Sequence, residues 1–282
     1  MAPRFHMVDV FGTGPVSGNP LAVVAAAGTL EVEEMQRIAT WFNLSETTFL
    51  VPPTRAEADY RVRIFTLNQE LPFAGHPTLG TCHAWLAGGG VPKNQEEIIQ
   101  ECGAGLVPIR RGQGRLAFAA PPLIRTGAPS AEELAEARRL LGLEPGEVVD
   151  AAWVDNGPGW LGIKLASAGR VLALQPAPSW PRPMDVGVVG PCAEGSEAAF
   201  ELRAFFTDPR GTILEDPVTG SLNASMAQWL FASGDARGAY VASQGTCLGR
   251  RGRIHVSRDP DGRIWIGGTT RTQVEGQFVG MG

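Results

Sequence analysis

The chain has 282 residues, more than one hydrophobic core usually reaches before splitting, so two domains are expected. Its 44% hydrophobic and 19% charged residues are those of a soluble globular protein, and a net charge of −5 without Lys/Arg-rich runs argues against a nucleic-acid partner. No apolar run is long enough for a membrane span, the start lacks a signal-peptide block, and the four cysteines (82, 102, 192 and 247) form no CxxC, so a cytoplasmic protein with neither disulfide frame nor zinc site is expected.

In chain order, "RFHMVDVF" alternates with period two like a half-buried strand, and "SGNPLAVV" reads as a turn, punctuated by Gly18, Asn19 and Pro20, feeding a second strand. A helix is predicted from Thr29, its cap, with Glu31, Glu33 and Glu34 near the positive end and Met35, Ile38 and Phe42 on one face. "NLSETTFLVPP" is a turn into a strand ended by prolines, and "ADYRVRIFT" is another alternating strand. "ELPFAGHPTLGTCHAWLAGGG" follows, a turn and a helix with Pro77 in the first turn and glycines at the end. Strands with Gly-rich turns then run to Pro121-Pro122, the predicted domain boundary, and "SAEE" at 130–133 is a capping box opening a helix.

The second half echoes the first. "FELRAFFT" follows the pattern of "YRVRIFT", and "EDPVTGSLNASMAQWLFASG" that of "ELPFAGHPTLGTCHAWLAGG". Glu70 and Glu215, Pro72 and Pro217, and Gly75 and Gly220 each lie 145 residues apart, and the same offset sets His76 opposite Ser221. Strand, ExPxxG turn and helix recurring in series predict two related α+β halves, 1–121 and 122–282. Whether the C-terminal "RTQVEGQFV" stays with the second half or packs back on the first is left open.

A helix N-terminus offers unpaired N–H groups and partial positive charge, and a glycine there lets a ligand approach the backbone. Two such helix starts, at Gly75 and Gly220, suit a small carboxylate held in a cleft between domains. Moving a proton on carbon also needs a base and hydrogen-bond donors. Glu46, set among Leu44 and Phe49, is either a surface turn carboxylate or a base whose partial burial raises its pKa. Asp216 is either a turn or capping acid or part of the site; His76 and Ser221 are either helix caps or substrate contacts. The four histidines make no HxxxH or HExxH, which disfavours a metal hydrolase, and no GxGxxG after a strand or GxxxxGK[ST] implies a nucleotide.

"SGNPLAVV" (17–24), "NLSETTFL", "ELPFAGHPTLGTCHAWL", "EDPVTGSLNAS" and "SQGTCLGRRGRIHV" together resemble the phenazine-biosynthesis PhzF-like family, in the family's order over nearly the whole chain. The resemblance implies a diaminopimelate-epimerase-like fold: two pseudo-symmetric domains, each a mixed sheet wrapped around a central helix. It implies a cofactor-independent isomerase acting on a dihydro-hydroxyanthranilate-type carboxylate, and a homodimer. It gives Glu46 the acid/base role, has His76 and Asp216 position substrate or shuttle the proton, and has Gly75, Gly220 and Ser221 hold the carboxylate. Related epimerases use two facing cysteines, which fall here at Ala74 and Thr219, so a thiol racemase is disfavoured. A non-catalytic carboxylate-binding protein that kept the cleft is the alternative.

Overall fold

A computed structural model describes residues 3–25, 27–28 and 30–279. The chain divides into two units, Met1–Ala119 with Gly267–Gly282, and Ala120–Ile266. The C-terminal segment, counted above with the second half, is thus grouped with the first.

The first unit opens with a hairpin of β1 (Arg4–Val10) and β2 (Asn19–Ala25). Its connection folds back on Asp9, whose carboxylate accepts from the backbone N–H of Ser17 and Gly18 at 3.0 and 2.7 Å. Gly18 has no room for a side chain, since a Cβ there would lie 2.0 Å from the Val10 carbonyl oxygen. Helix α1 (Val32–Phe42) is capped at Glu31 through a capping box with Glu34; the cap predicted at Thr29 lies outside the described residues. Met35 and Ile38 are buried as predicted, and Asn43 ends the helix in the left-handed region.

The unit continues through β3 (Thr47–Val51), β4 (Tyr60–Phe65), the short β5 (Glu70–Leu71), helix α2 (Gly75–Ala87), β6 (Glu97–Cys102), β7 (Gly105–Gly112) and β8 (Arg115–Ala119). Neighbouring strands pair antiparallel except β2 with β3 and β4 with β6, which run parallel. Helix α2 is buried at every residue from Gly75 to Cys82, because it is apolar all round rather than along one stripe. It packs on β1, β2, β3, β4 and β8. Close approach is set by Gly80, where a Cβ would lie 2.5 Å from Leu21 Cδ2.

The second unit repeats this plan. It contains β9 (Arg125–Gly127), α3 (Ala131–Leu141), β10 (Val148–Asp155), β11 (Trp160–Leu165), α4 (Ala168–Leu172) and β12 (Asp185–Pro191). There follow β13 (Phe200–Thr207), β14 (Ile213–Asp216), helix α5 (Gly220–Ser233), β15 (Tyr240–Gln244), β16 (Gly252–Arg258) and β17 (Ile264–Gly268). The pairings β10–β11 antiparallel, β11–β12 parallel, β12–β13 and β13–β14 antiparallel, β13–β15 parallel and β15–β16 antiparallel match the first unit strand for strand. Helix α5 packs on β10 and β11 and is apolar all round, like α2. Ser130 and Glu133 form the predicted capping box of α3, which has no counterpart in the first unit.

The last strand, β18 (Thr270–Gln277), pairs antiparallel with β1, just as β9 pairs with β10. Two threonines of β18 hold His83 of α2, with Thr270 Oγ1 and Thr272 Oγ1 at 3.1 and 3.0 Å from its ring nitrogens. Both units are therefore mixed sheets around one buried helix, an α+β fold with internal pseudo-symmetry.

Candidate functional site

In the first unit Glu46 lies immediately before β3, on the turn that Asn43 starts. Thr48, two residues on, accepts from Thr81 Oγ1 of α2 at 2.8 Å, so this face of β3 looks at the helix. Glu46 shares that face, and its Oε2 lies 3.5 Å from His76 Nε2. His76 is the second residue of α2 and 3% exposed. Burial pushes its pKa down to about 3, so this pair is a carboxylate facing a neutral imidazole, not an ion pair. The Asn19 amide nitrogen lies 3.3 Å from His76 Nδ1. With the amide donating there, Nδ1 is the acceptor and the ring proton sits on Nε2, the nitrogen that faces Glu46.

In the second unit Asp216 closes β14 and accepts from Thr219 Oγ1 at 2.5 Å. Gln244 of β15 is fully buried and ties this turn together: its Nε2 donates to Thr219 Oγ1 at 2.9 Å and its Oε1 accepts from Thr219 N and Asn223 Nδ2 at 3.0 and 2.8 Å. Ser221, second in α5, accepts from Trp160 Nε1 at 3.1 Å through its Oγ. Its carbonyl accepts from Asn156 Nδ2 at 3.0 Å.

The two helix starts share one construction. The first residue of β2 and of its counterpart β11, Asn19 or Trp160, presents a nitrogen to the second residue of the helix, His76 or Ser221. Neither N-cap residue, Ala74 nor Thr219, puts its side chain on the helix N–H groups. Those first-turn N–H groups, with Gly75 and Gly220 leading them, can thus receive an anion. The capping role weighed for His76 and Ser221 does not hold: both stand one position inside the helix. Alanine and threonine occupy the cap positions where a thiol racemase would need cysteines, and Cys82 is a fully buried core residue whose pKa burial pushes up to about 12.

The glutamates that open both turns serve structure. Glu70 takes both oxygens to Arg63 at 2.8 and 2.6 Å, and Glu215 does the same with Arg203 at 3.0 and 2.7 Å. Each turn before a helix is thereby clamped to the strand preceding it. Asn19, Gln244 and Asn223 stood in quoted motifs, yet the partners of the first two are far away in sequence; Asn156 and Trp160 lie in "DNGPGWLGIKL", only a weak echo of the Gly/Pro turn and strand near residue 20. Among the described residues no group of three or more His, Cys, Asp and Glu is placed to hold a metal ion.

A family model described as phenazine biosynthesis-like protein matches residues 8–280. The chain belongs to that family. It is 34% identical over 296 residues, 97% of each chain, to antisense-enhancing sequence 1 of Schizosaccharomyces pombe. With the trans-2,3-dihydro-3-hydroxyanthranilate isomerase of Pseudomonas aeruginosa it shares 33% identity over 233 residues, 79% of this chain and 78% of that one. A crystal structure of a PhzF-family protein from Enterococcus faecalis superposes with a TM-score of 0.80 over 99% of this chain and 100% of the other at 24% identity, which speaks to the fold.

Proposed function

We propose that this chain, an isomerase of the phenazine biosynthesis-like family, moves a proton between two carbons of a small cyclic or unsaturated carboxylate, with Glu46 as the acid/base. The observation that carries this reading is the pairing of Glu46 with the N–H side of a neutral, buried His76 at a helix start. A carboxylate so placed can take a proton from one carbon, while the electron pair left behind delocalises into the unsaturated system. It then returns the same proton to a second carbon, so the reaction is redox-neutral. A neutral imidazole suits the task because its Nε2–H can steady Glu46 or a developing oxyanion without titrating. Gly75, Gly220 and Ser221 are assigned to substrate binding, the substrate carboxylate taking helix N–H groups. Asp216, fixed by Thr219, is assigned to orienting the substrate or relaying a proton.

The test is proton NMR in D₂O with trans-2,3-dihydro-3-hydroxyanthranilate, comparing wild type with Glu46→Gln. Turnover in wild type and a loss of about a hundredfold or more in the variant are expected, the usual scale for a general base. Turnover that survives the substitution would remove Glu46 from the mechanism. Stabilisation of the fold by carboxylates without any turnover would mark a binding protein instead.

A further inference from the structure

A neutral imidazole has one proton for two nitrogens, and the neighbours of His76 decide which nitrogen carries it. On one side the Asn19 amide nitrogen lies 3.3 Å from Nδ1. On the other, Glu46 Oε2 lies 3.5 Å from Nε2. Turned round, the amide would set its oxygen on Nδ1 and draw the proton there. The lone pair of Nε2 would then face the carboxylate of Glu46, two acceptors opposed in a buried place. With the amide as it stands, Nδ1 accepts and Nε2–H points toward Glu46. The second unit supports this direction. Trp160, at the matching position on β11, meets Ser221 with an indole N–H, a group that can only donate.

Asn19 is placed to hold that direction. It is fully buried as the first residue of β2, in register with Val10. Gly18 before it donates to Asp9 Oδ1 at 2.7 Å and has no room for a side chain, and Pro20 after it has its φ fixed by the ring. A side chain so confined keeps Nδ1 of His76 occupied. Nε2 differs: it is buried and makes no hydrogen bond among the described residues, the approach of Glu46 being longer than a formed bond. It is a donor held in reserve beside the base.

We propose that Asn19 is a positioning residue: it locks His76 in the Nε2–H form, which makes His76 a hydrogen-bond donor to the reacting substrate and removes it as a carrier of the transferred proton. A ring with Nδ1 accepting and Nε2 protonated has no lone pair left for the proton that Glu46 takes, and burial keeps it from becoming a cation. The donor meets the negative charge that develops on the substrate as the proton leaves carbon, so its hydrogen bond strengthens in the transition state. The inference rests on the reading of Glu46 as the acid/base and gives His76 one of the two roles weighed for it, with Asn19 as the cause.

The test is nitrogen-15 NMR of histidine-labelled protein, the His76 signals being assigned by their loss in His76→Gln, together with kinetics on trans-2,3-dihydro-3-hydroxyanthranilate. Wild type is expected to carry its ring proton on Nε2, with Nδ1 bare, at neutral pH. Asn19→Asp, of nearly the same size but an acceptor when ionised, is expected to put a proton on Nδ1. Either the donor on Nε2 is then lost or a cation beside Glu46 weakens it as a base, so kcat is expected to fall at least about tenfold while KM changes less than about threefold. The wild-type spectrum depends on no variant folding, and a proton on Nδ1 there overturns the proposal by itself. Nδ1 still bare in Asn19→Asp, or a moved proton with kcat unchanged, also overturns it. Absence of turnover by wild type, with the proton found on Nε2, overturns instead the reading of Glu46 on which the positioning role rests.

Discussion

Two ionisable side chains are held in their neutral forms by burial, and they pull the pH dependence of stability in opposite directions. His76 has its pKa lowered to about 3, so its contribution to stability is present above the ordinary histidine value and is lost as the pH falls toward 3. Asp185 has its pKa raised to about 7, so its contribution is present at low pH and is lost as the pH rises from the ordinary aspartate value through 7. Each is worth on the order of a few kcal/mol at the unfavourable extreme. Asp185→Asn is therefore expected to be more stable than wild type at pH 8 and near parity at pH 4, by urea unfolding. His76→Asn is expected to unfold less readily than wild type at pH 4, relative to their difference at pH 8; parallel pH profiles would contradict both assignments. Of these residues the sequence made His76 visible through its place in the repeated turn, and Glu46 through its apolar neighbours. Asp185 was invisible, because its surroundings depend on a strand register, and Asn156 stood only in a weak echo of the turn near residue 20, its partner being a helix start 65 residues beyond it.

At the scale of elements, the repeated ExPxxG turn was legible as a pattern, and its glutamates separate from the chemistry once the strands are placed. Both turns are clamped by an arginine two residues short of the strand position that pairs with the glutamate. The two clamps are not of equal worth. In the first unit the side chains are 21% and 39% exposed, so Glu70→Gln should cost less than about 1 kcal/mol. In the second they are 7% and 10% exposed, and Arg203 also donates to the carbonyls of Val171 and Leu174, the latter at 2.9 Å. Glu215→Gln leaves that guanidinium charged and buried and is expected to cost about 3–5 kcal/mol. Thermal unfolding of the two variants side by side checks this, and equal costs would mean that the second clamp is as solvated as the first. The sequence could pair the glutamates with one another across the repeat but not rank them, since exposure is a property of what covers each turn.

For the molecule as a whole, two α+β halves could be read from the repeat, but the ownership of the last strand could not. "RTQVEGQFV" alternates no better for one partner than another, and only the pairing of β18 with β1 assigns it. Its threonines hold His83, and Val274 and Glu275 pair with Met7 and His6. A chain stopped after Gly268, the end of β17, therefore lacks one edge of the first unit but no strand of the second. On such a chain, limited proteolysis is expected to cut within 1–119 and spare 120–266; protection of both segments would show that β18 is dispensable.

The same return strand sets a timetable for synthesis. Residues 1–119 leave the ribosome first, yet β1 keeps an unpaired edge until 270–277 has been made, while the unit formed by Ala120–Ile266 is already whole. The half that is translated early must wait, with an open strand edge of the kind that invites intermolecular pairing, for the half translated late to finish. A slow stretch of translation before residue 270 would lengthen that wait, so the yield of soluble protein should be sensitive to elongation rate there and far less sensitive to it earlier in the chain.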